Sequence, residues 1–289
     1  MKRLALITLL LAFGAELARA AGPYIREDYL FGSYGYHANT VSVTAQTGKN
    51  TLLGGEYTFY KDNDLPDVVN AIKMPLFINN SPLFGFFRPF YYPSSKLVRT
   101  SAAGFNAYAI FLLLNDNVQE TRTQLALNMS LAAQKAAFNF ADGNSARKLL
   151  PEAVYEIQLQ QNYLKEFYFV TSASFYQYLT GVNGVSFPDL VMDQGDVSST
   201  GVTSALRELP LWNAGLEVNR SVGDGSDEQI YFQYHYISFA QDYQAAHALT
   251  MGTRFKLSEV NSFDFGYNWI SRGQDGKQNY YRAAFRLSF

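Results

Sequence analysis

The stretch "NYYRAAFRLSF", residues 279–289, puts an apolar side chain at every second position. Tyr281, Ala283, Phe285, Leu287 and Phe289 share one face; Tyr280, Arg282, Ala284, Arg286 and Ser288 share the other. A period of two is the signature of a β-strand with two unlike faces. Arginines at 282 and 286 exclude a strand buried on both sides. What the apolar face touches, a protein core or lipid, decides the fold.

The same alternation recurs along the chain. "ETRTQLALNMSLA" sets Leu125, Leu127, Met129 and Leu131 against Glu120, Arg122, Gln124, Asn128 and Ser130. "YEIQLQQ" opposes Tyr155, Ile157 and Leu159 to Glu156, Gln158 and Gln160. "WNAGLEVNR", "IYFQYHY", "LTMGTRFKL" and "FDFGYNW" repeat the pattern, with Glu217, His235, Arg254, Lys256 and Asp264 on the polar faces. The strands expected around these runs have roughly nine residues or more, the length a tilted strand needs to cross hydrocarbon. Turn-forming segments such as "LNDN", "VGDGSDE" and "RGQDGKQ" separate them. A soluble sandwich would also alternate. It has less use for long strands that carry Arg, Glu and Gln on one side and Phe, Tyr, Leu and Met on the other.

The other terminus, "MKRLALITLLLAFGAELARA", has Lys2 and Arg3, an apolar run too short to span a bilayer, and small residues at 18 and 20, Ala18-Arg19-Ala20. It reads as a signal peptide, residues 1–20, cleaved on export. The absence of cysteine excludes a disulfide scaffold or a thiolate site. A formal net charge of −2 gives no electrostatic case for nucleic acid. Beyond the leader no run is apolar enough for a transmembrane helix.

On Phe289, Leu287, Phe285, Ala283 and Tyr281, together with the leader, the sequence resembles the outer-membrane β-barrel class of Gram-negative bacteria. The resemblance implies that Tyr281, Phe285, Leu287 and Phe289 act as a C-terminal assembly signal read by barrel-assembly machinery. It also implies export through the periplasm, outer-membrane lipids as partners, and an all-β, antiparallel, up-and-down transmembrane barrel over residues 21–289. In lipid a closed barrel leaves no backbone edge unpaired.

Counting strands back from Phe289 gives about twelve, with ten to fourteen open. The long connections then fall at the end opposite the termini. Residues 61–98 are expected to form one long outer loop: Asp64 caps a short helix that Pro75 ends, and Pro89 argues against a strand over 82–92. The aromatic segment after it, with Phe86, Phe87, Arg88 and Phe90, is the expected gate. A parse that makes 82–92 a strand remains the alternative.

Reflecting the last hairpin about residue 275 sets Asp264 opposite Arg286 and Asn268 opposite Arg282. Arg254, Lys256, Arg282 and Arg286 would then form a cationic wall around Asp264, facing Glu120, Arg122, Glu156 and Glu217 across the lumen. Such a wall would select small polar or anionic solutes in a monomeric porin-like channel. The alternatives are a hydrolase with His247 and Asp242 at the outer rim, and a closed structural or adhesion barrel. No cofactor or metal is implied: Asp189, Asp193, Asp196, Asp224 and Asp227 fit turns better than a defined cation loop.

Overall fold

Alternation of apolar and polar residues builds antiparallel strands here, and the sheet they form closes on itself. The computed structural model describes residues 24–80, 83–116, 121–163, 166–198, 208–222, 228–240, 244–258, 260–272 and 276–289. The expected leader, Glu120, Asp224, Asp227 and Asp242 lie outside the described residues.

The strands are β1 (Tyr24–Gly32), β2 (His37–Gly48), β3 (Thr51–Lys61), β4 (Val69–Lys73), β5 (Leu76–Asn80), β6 (Leu83–Tyr92), β7 (Ser101–Asp116) and β8 (Thr121–Phe140). They continue with β9 (Ser145–Tyr163), β10 (Phe167–Tyr178), β11 (Val185–Ser186), β12 (Pro210–Ser221), β13 (Gln229–Phe239), β14 (Ala246–Lys256), β15 (Asn261–Ser271) and β16 (Lys277–Ser288). Except around β4, β5 and β11, consecutive strands pair antiparallel, and β1 pairs with β16 from Tyr24↔Ser288 to Gly32↔Tyr280. β4 and β5 share one place between β3 and β6, and the short β11 only extends the edge of β8. The result is a closed barrel of 14 strands.

The expected barrel is therefore present with two more strands than counted, and the expected loop at 61–98 is corrected. Its residues form β4, β5 and β6, and no helix follows Asp64. Instead the Asp62 carboxylate accepts from the amides of Asp64 and Leu65 in a turn. Pro89 lies inside β6, in register with Phe105 of β7. Its missing N–H falls where the neighbouring strand is itself broken, between Lys73 and Leu76 at Pro75. There the Pro89 carbonyl accepts from the Met74 amide (3.0 Å), and the Pro75 carbonyl accepts from Gly54 (2.8 Å). Two prolines facing one gap cost the ladder little.

The outer face is apolar. Leu127, Met129, Tyr155, Ile157, Leu216, Phe232, Met251 and Phe265 are exposed, while their neighbours Asn128, Glu156 and Asp264 are buried inside. Aromatic rings mark the end away from the termini: Phe31 lies 5.5 Å from Tyr281, and Trp212 lies 5.1 Å from Tyr236. Phe255 and Phe263 pair near the end that carries the termini. No second protein layer covers this surface among the described residues. An apolar belt between aromatic girdles, with polar residues inside, is the pattern of a barrel solvated by hydrocarbon.

At the terminal end few residues of sequence separate β2 from β3, β5 from β6, β7 from β8, β9 from β10, β12 from β13 and β14 from β15; the longest separation, from β10 to β12, begins and ends at the other. β8 and β9, 20 and 19 residues long, outreach the other strands. A second apolar cluster covers their upper part, formed by Ala136, Phe138 and Leu150 with Val182, Val185, Leu190 and Leu209.

Candidate functional site

The interior has two zones, set by which residues take the inward positions at each height. Toward the termini they are polar. Asn106 donates to Asn128 (2.9 Å) and Ser130 (2.8 Å), Gln160 to Tyr108 (2.8 Å) and Gln158 (3.0 Å), and Gln158 to Glu156 (2.5 Å). Toward the other end the inward positions are apolar, among them Leu30, Tyr36, Tyr60, Tyr92, Val154, Ile237 and Tyr280.

Between the zones, residues 191–198 of the connection after β10 fold into the barrel. Val191, Met192 and Val197 join the apolar core. On one side β8 and β9 hold the segment. Gln134 accepts from the amides of Val191 (3.1 Å) and Met192 (3.0 Å), and Ser198 donates to Glu156 (2.7 Å). On the other side, β3, β4 and β6 hold it. Tyr60 donates to the Val191 carbonyl, Arg88 to the Gly195 carbonyl (2.9 Å), and Tyr92 to Asp196. Lys73 Nζ lies 2.5 Å from Asp196 and 3.2 Å from Glu56, with its side chain 6% exposed. Burial alone would raise the Asp196 carboxyl, but Lys73 and Arg88 outweigh it and hold it below the usual range. Asp193, also on this segment, is pushed up to about 6 by burial and by the charge of Asp196.

Beneath the segment lies a cavity of about 620 Å³, lined by charged residues from most of the barrel wall, including Asp28, Lys73, Arg88, Asp196, Glu217, Arg254, Asp264 and Arg282. A second space of about 270 Å³ at the terminal end is lined by Arg26, Arg254, Lys256 and Arg286, with Asp264 as its acidic group.

Four expected cations do face the interior, but they do not converge on one carboxylate. Asp264 pairs with Arg254 (2.9 Å) and accepts from Tyr231 (2.9 Å). Arg282 pairs with Asp28 of β1, its Nε 2.9 Å from Oδ1, and Arg26 shares that carboxylate. Arg286 lies over the Tyr24 ring at 4.1 Å, and Lys256 lines the mouth. The last hairpin is offset by two residues from the expected register: Asp264 stands opposite Ala284, Gly266 opposite Arg282 and Asn268 opposite Tyr280.

Glu156 and Glu217 face inward, each hydrogen-bonded by neighbouring amide side chains. Arg122 takes an inward-parity position at the terminal end of β8, opposite Asn162. Of the expected gate, Arg88 and Phe90 point inward and Phe86 lines an inner cavity, whereas Phe87 is exposed on the outer face. These four belong to strand β6 and form no loop.

Of the expected rim pair His247 and Asp242, only His247 is among the described residues. His247 is on the outer surface, 2.7 Å from the Tyr234 hydroxyl and packed on Tyr236. Inside, His235 sits over Gly215, and its Nδ1 has no partner among the described residues. The acidic string at 189–196 is engaged in holding chain. Asp189 pairs with Arg147 (2.8 Å) and accepts from the Ala137 amide (2.8 Å), and Asp193 accepts from the Gly195 amide. Sequence reasoning missed Asp28, Glu56, Lys73, Tyr92 and the inward fold of 191–198. Only the alternation of Val69, Ala71 and Lys73 hinted at a strand where a helix was expected.

A single closed sheet, apolar outside and charged within, defines a transmembrane β-barrel. No family model and no curated protein matches the sequence. Among solved structures the chain is similar to the KdgM porin, with a TM-score of 0.45 and 9% identity over 92% of this chain and 99% of that one. It is similar to the NanC porin at 0.45 and 10%, over 92% and 100%. A third is OccK11 (OpdR) of Pseudomonas aeruginosa, at 0.49 and 7%, over 93% and 95%. These are similarities of chain path; the fold rests on the strand pairing above, and any solute must be argued from the lumen.

Proposed function

We propose that the protein is a porin-like channel of a Gram-negative outer membrane, passing small polar or anionic solutes by passive diffusion. The observation that carries this reading is the roughly 620 Å³ charged cavity inside a barrel whose outer face is apolar. A sealed structural barrel gains nothing from burying so many ionised groups, each of which costs desolvation. A conduit uses them to replace the hydration of a passing ion.

Inward cations stand on β1, β14 and β16, with Lys73 and Arg88 on β4 and β6, and Glu156 stands on β9, half the circumference from β1. That arrangement supports a field across the lumen. Residues 191–198 narrow the path, so the state described here is a restricted one.

Planar-bilayer recording tests the reading. Stepwise currents are expected, with anions preferred over cations. Arg254→Ala combined with Arg282→Ala should bring the permeability ratio to about unity or below, since fixed charge sets the sign of selectivity. Absence of steps from folded protein would reject the channel.

A further inference from the structure

The most heavily built polar site in the molecule is the one that receives Asp196. Its carboxylate is 1% exposed and is met by Lys73 at 2.5 Å, by Arg88 at 3.4 Å and by the Tyr92 hydroxyl. All three partners belong to the barrel wall, on β4 and β6, whereas Asp196 belongs to a connection. The wall therefore presents a preformed oxyanion site, and the chain's own carboxylate fills it.

Three further facts point to an exchangeable occupant. Lys73, Arg88 and Asp196 all line the cavity that opens below them, so the site faces space a solute can enter. Arg88 Nε is buried with no hydrogen-bond partner among the described residues, so the guanidinium keeps an unused donor. Asp196 is carried by residues outside the strand ladder, so it can leave without breaking any strand pairing.

The charges agree. With the segment in place, Lys73 and Arg88 face Asp196, Asp193 and Glu56. If the segment leaves, both aspartates leave with it, and Glu56 alone remains against two cations. An entering carboxylate would restore the balance, and the planar Arg88 guanidinium suits such a group.

We propose that Lys73, Arg88 and Tyr92 form a binding site for a carboxylate or other oxyanion group of a solute, and that Asp196 occupies it until the solute displaces it. This names a site and a substrate class for the channel, and so rests on that reading. The solute would act as a competitor of the chain's own side chain, coupling its arrival to release of residues 191–198.

Calorimetry on the full chain in detergent, with glutarate as the probe, tests the site without requiring any current. Asp196→Asn removes the competing charge while Glu56 still pairs Lys73. It should bind glutarate at least tenfold more tightly than wild type, and adding Lys73→Gln should abolish the gain. Neutral glutaramide should show no difference between these proteins. Equal glutarate affinity in wild type and Asp196→Asn would overturn the proposal.

If Asp196→Asn does not fold, the thermal midpoint of the wild type serves instead. Glutarate should raise it, and Arg88→Gln should remove the rise; a midpoint indifferent to glutarate would overturn the proposal. Failure here with anion currents intact removes the site and leaves the channel. Glutarate binding without currents does the reverse.

Discussion

Asp264 shows how an inward carboxylate is kept in a membrane barrel. Tyr231 of β13 crosses β14 to reach it, and it can do so because Gly252 lies under its ring: a Cβ there would sit 2.3 Å from the tyrosine hydroxyl oxygen. Arg254 supplies the charge on the far side. Asp193 illustrates the opposite case, a carboxyl whose surroundings favour the neutral form. Burial and the charge of Asp196 push its pKa up to about 6 from the ordinary 3.8, so the folded segment binds more protons than the free one between those values. The hold on 191–198 therefore weakens as pH rises through about 6, whereas Asp196, depressed by its cations, stays ionised throughout that range. We predict a larger mean conductance at pH 7.5 than at pH 5, with the difference abolished in Asp193→Asn. An unchanged difference in that variant would mean another group titrates.

At the scale of the element, the alternating runs were legible because one solvent wets each face. Tyr155, Ile157 and Leu159 point out and Glu156, Gln158 and Gln160 point in, as their parity requires. That parity has a measurable consequence. Leu127→Arg on the outer face of β8 should cost about 2–4 kcal/mol near the bilayer midplane, whereas arginine already stands inward at 254 and 282. Unfolding by denaturant in lipid vesicles measures it, and a loss below about 0.5 kcal/mol would place Leu127 in water.

What stayed illegible had a local reason. Pro75 and Pro89 each forbid a continuous strand when read alone, and only their pairing across one gap makes β4, β5 and β6 possible. The register of the last hairpin depends on turn geometry that no alternation encodes. The inward fold of 191–198 was hidden because "DLVMDQGD" has the composition of a surface turn. Its acidic residues find Arg147, Lys73 and Arg88 only in three dimensions.

For the whole molecule, everything turns on the solvent outside the barrel. The two tryptophans report on it, since Trp212 and Trp269 both lie at outward-parity positions near the end away from the termini. Closure of β1 on β16 leaves no free strand edge at that seam, as a sheet surrounded by hydrocarbon requires. The most direct measurement is tryptophan fluorescence of the protein in vesicles of lipids brominated along the acyl chains. The account predicts strong quenching, greatest for bromines close to the headgroups, and little quenching by aqueous acrylamide. Emission untouched by bromolipid but quenched by acrylamide would contradict it.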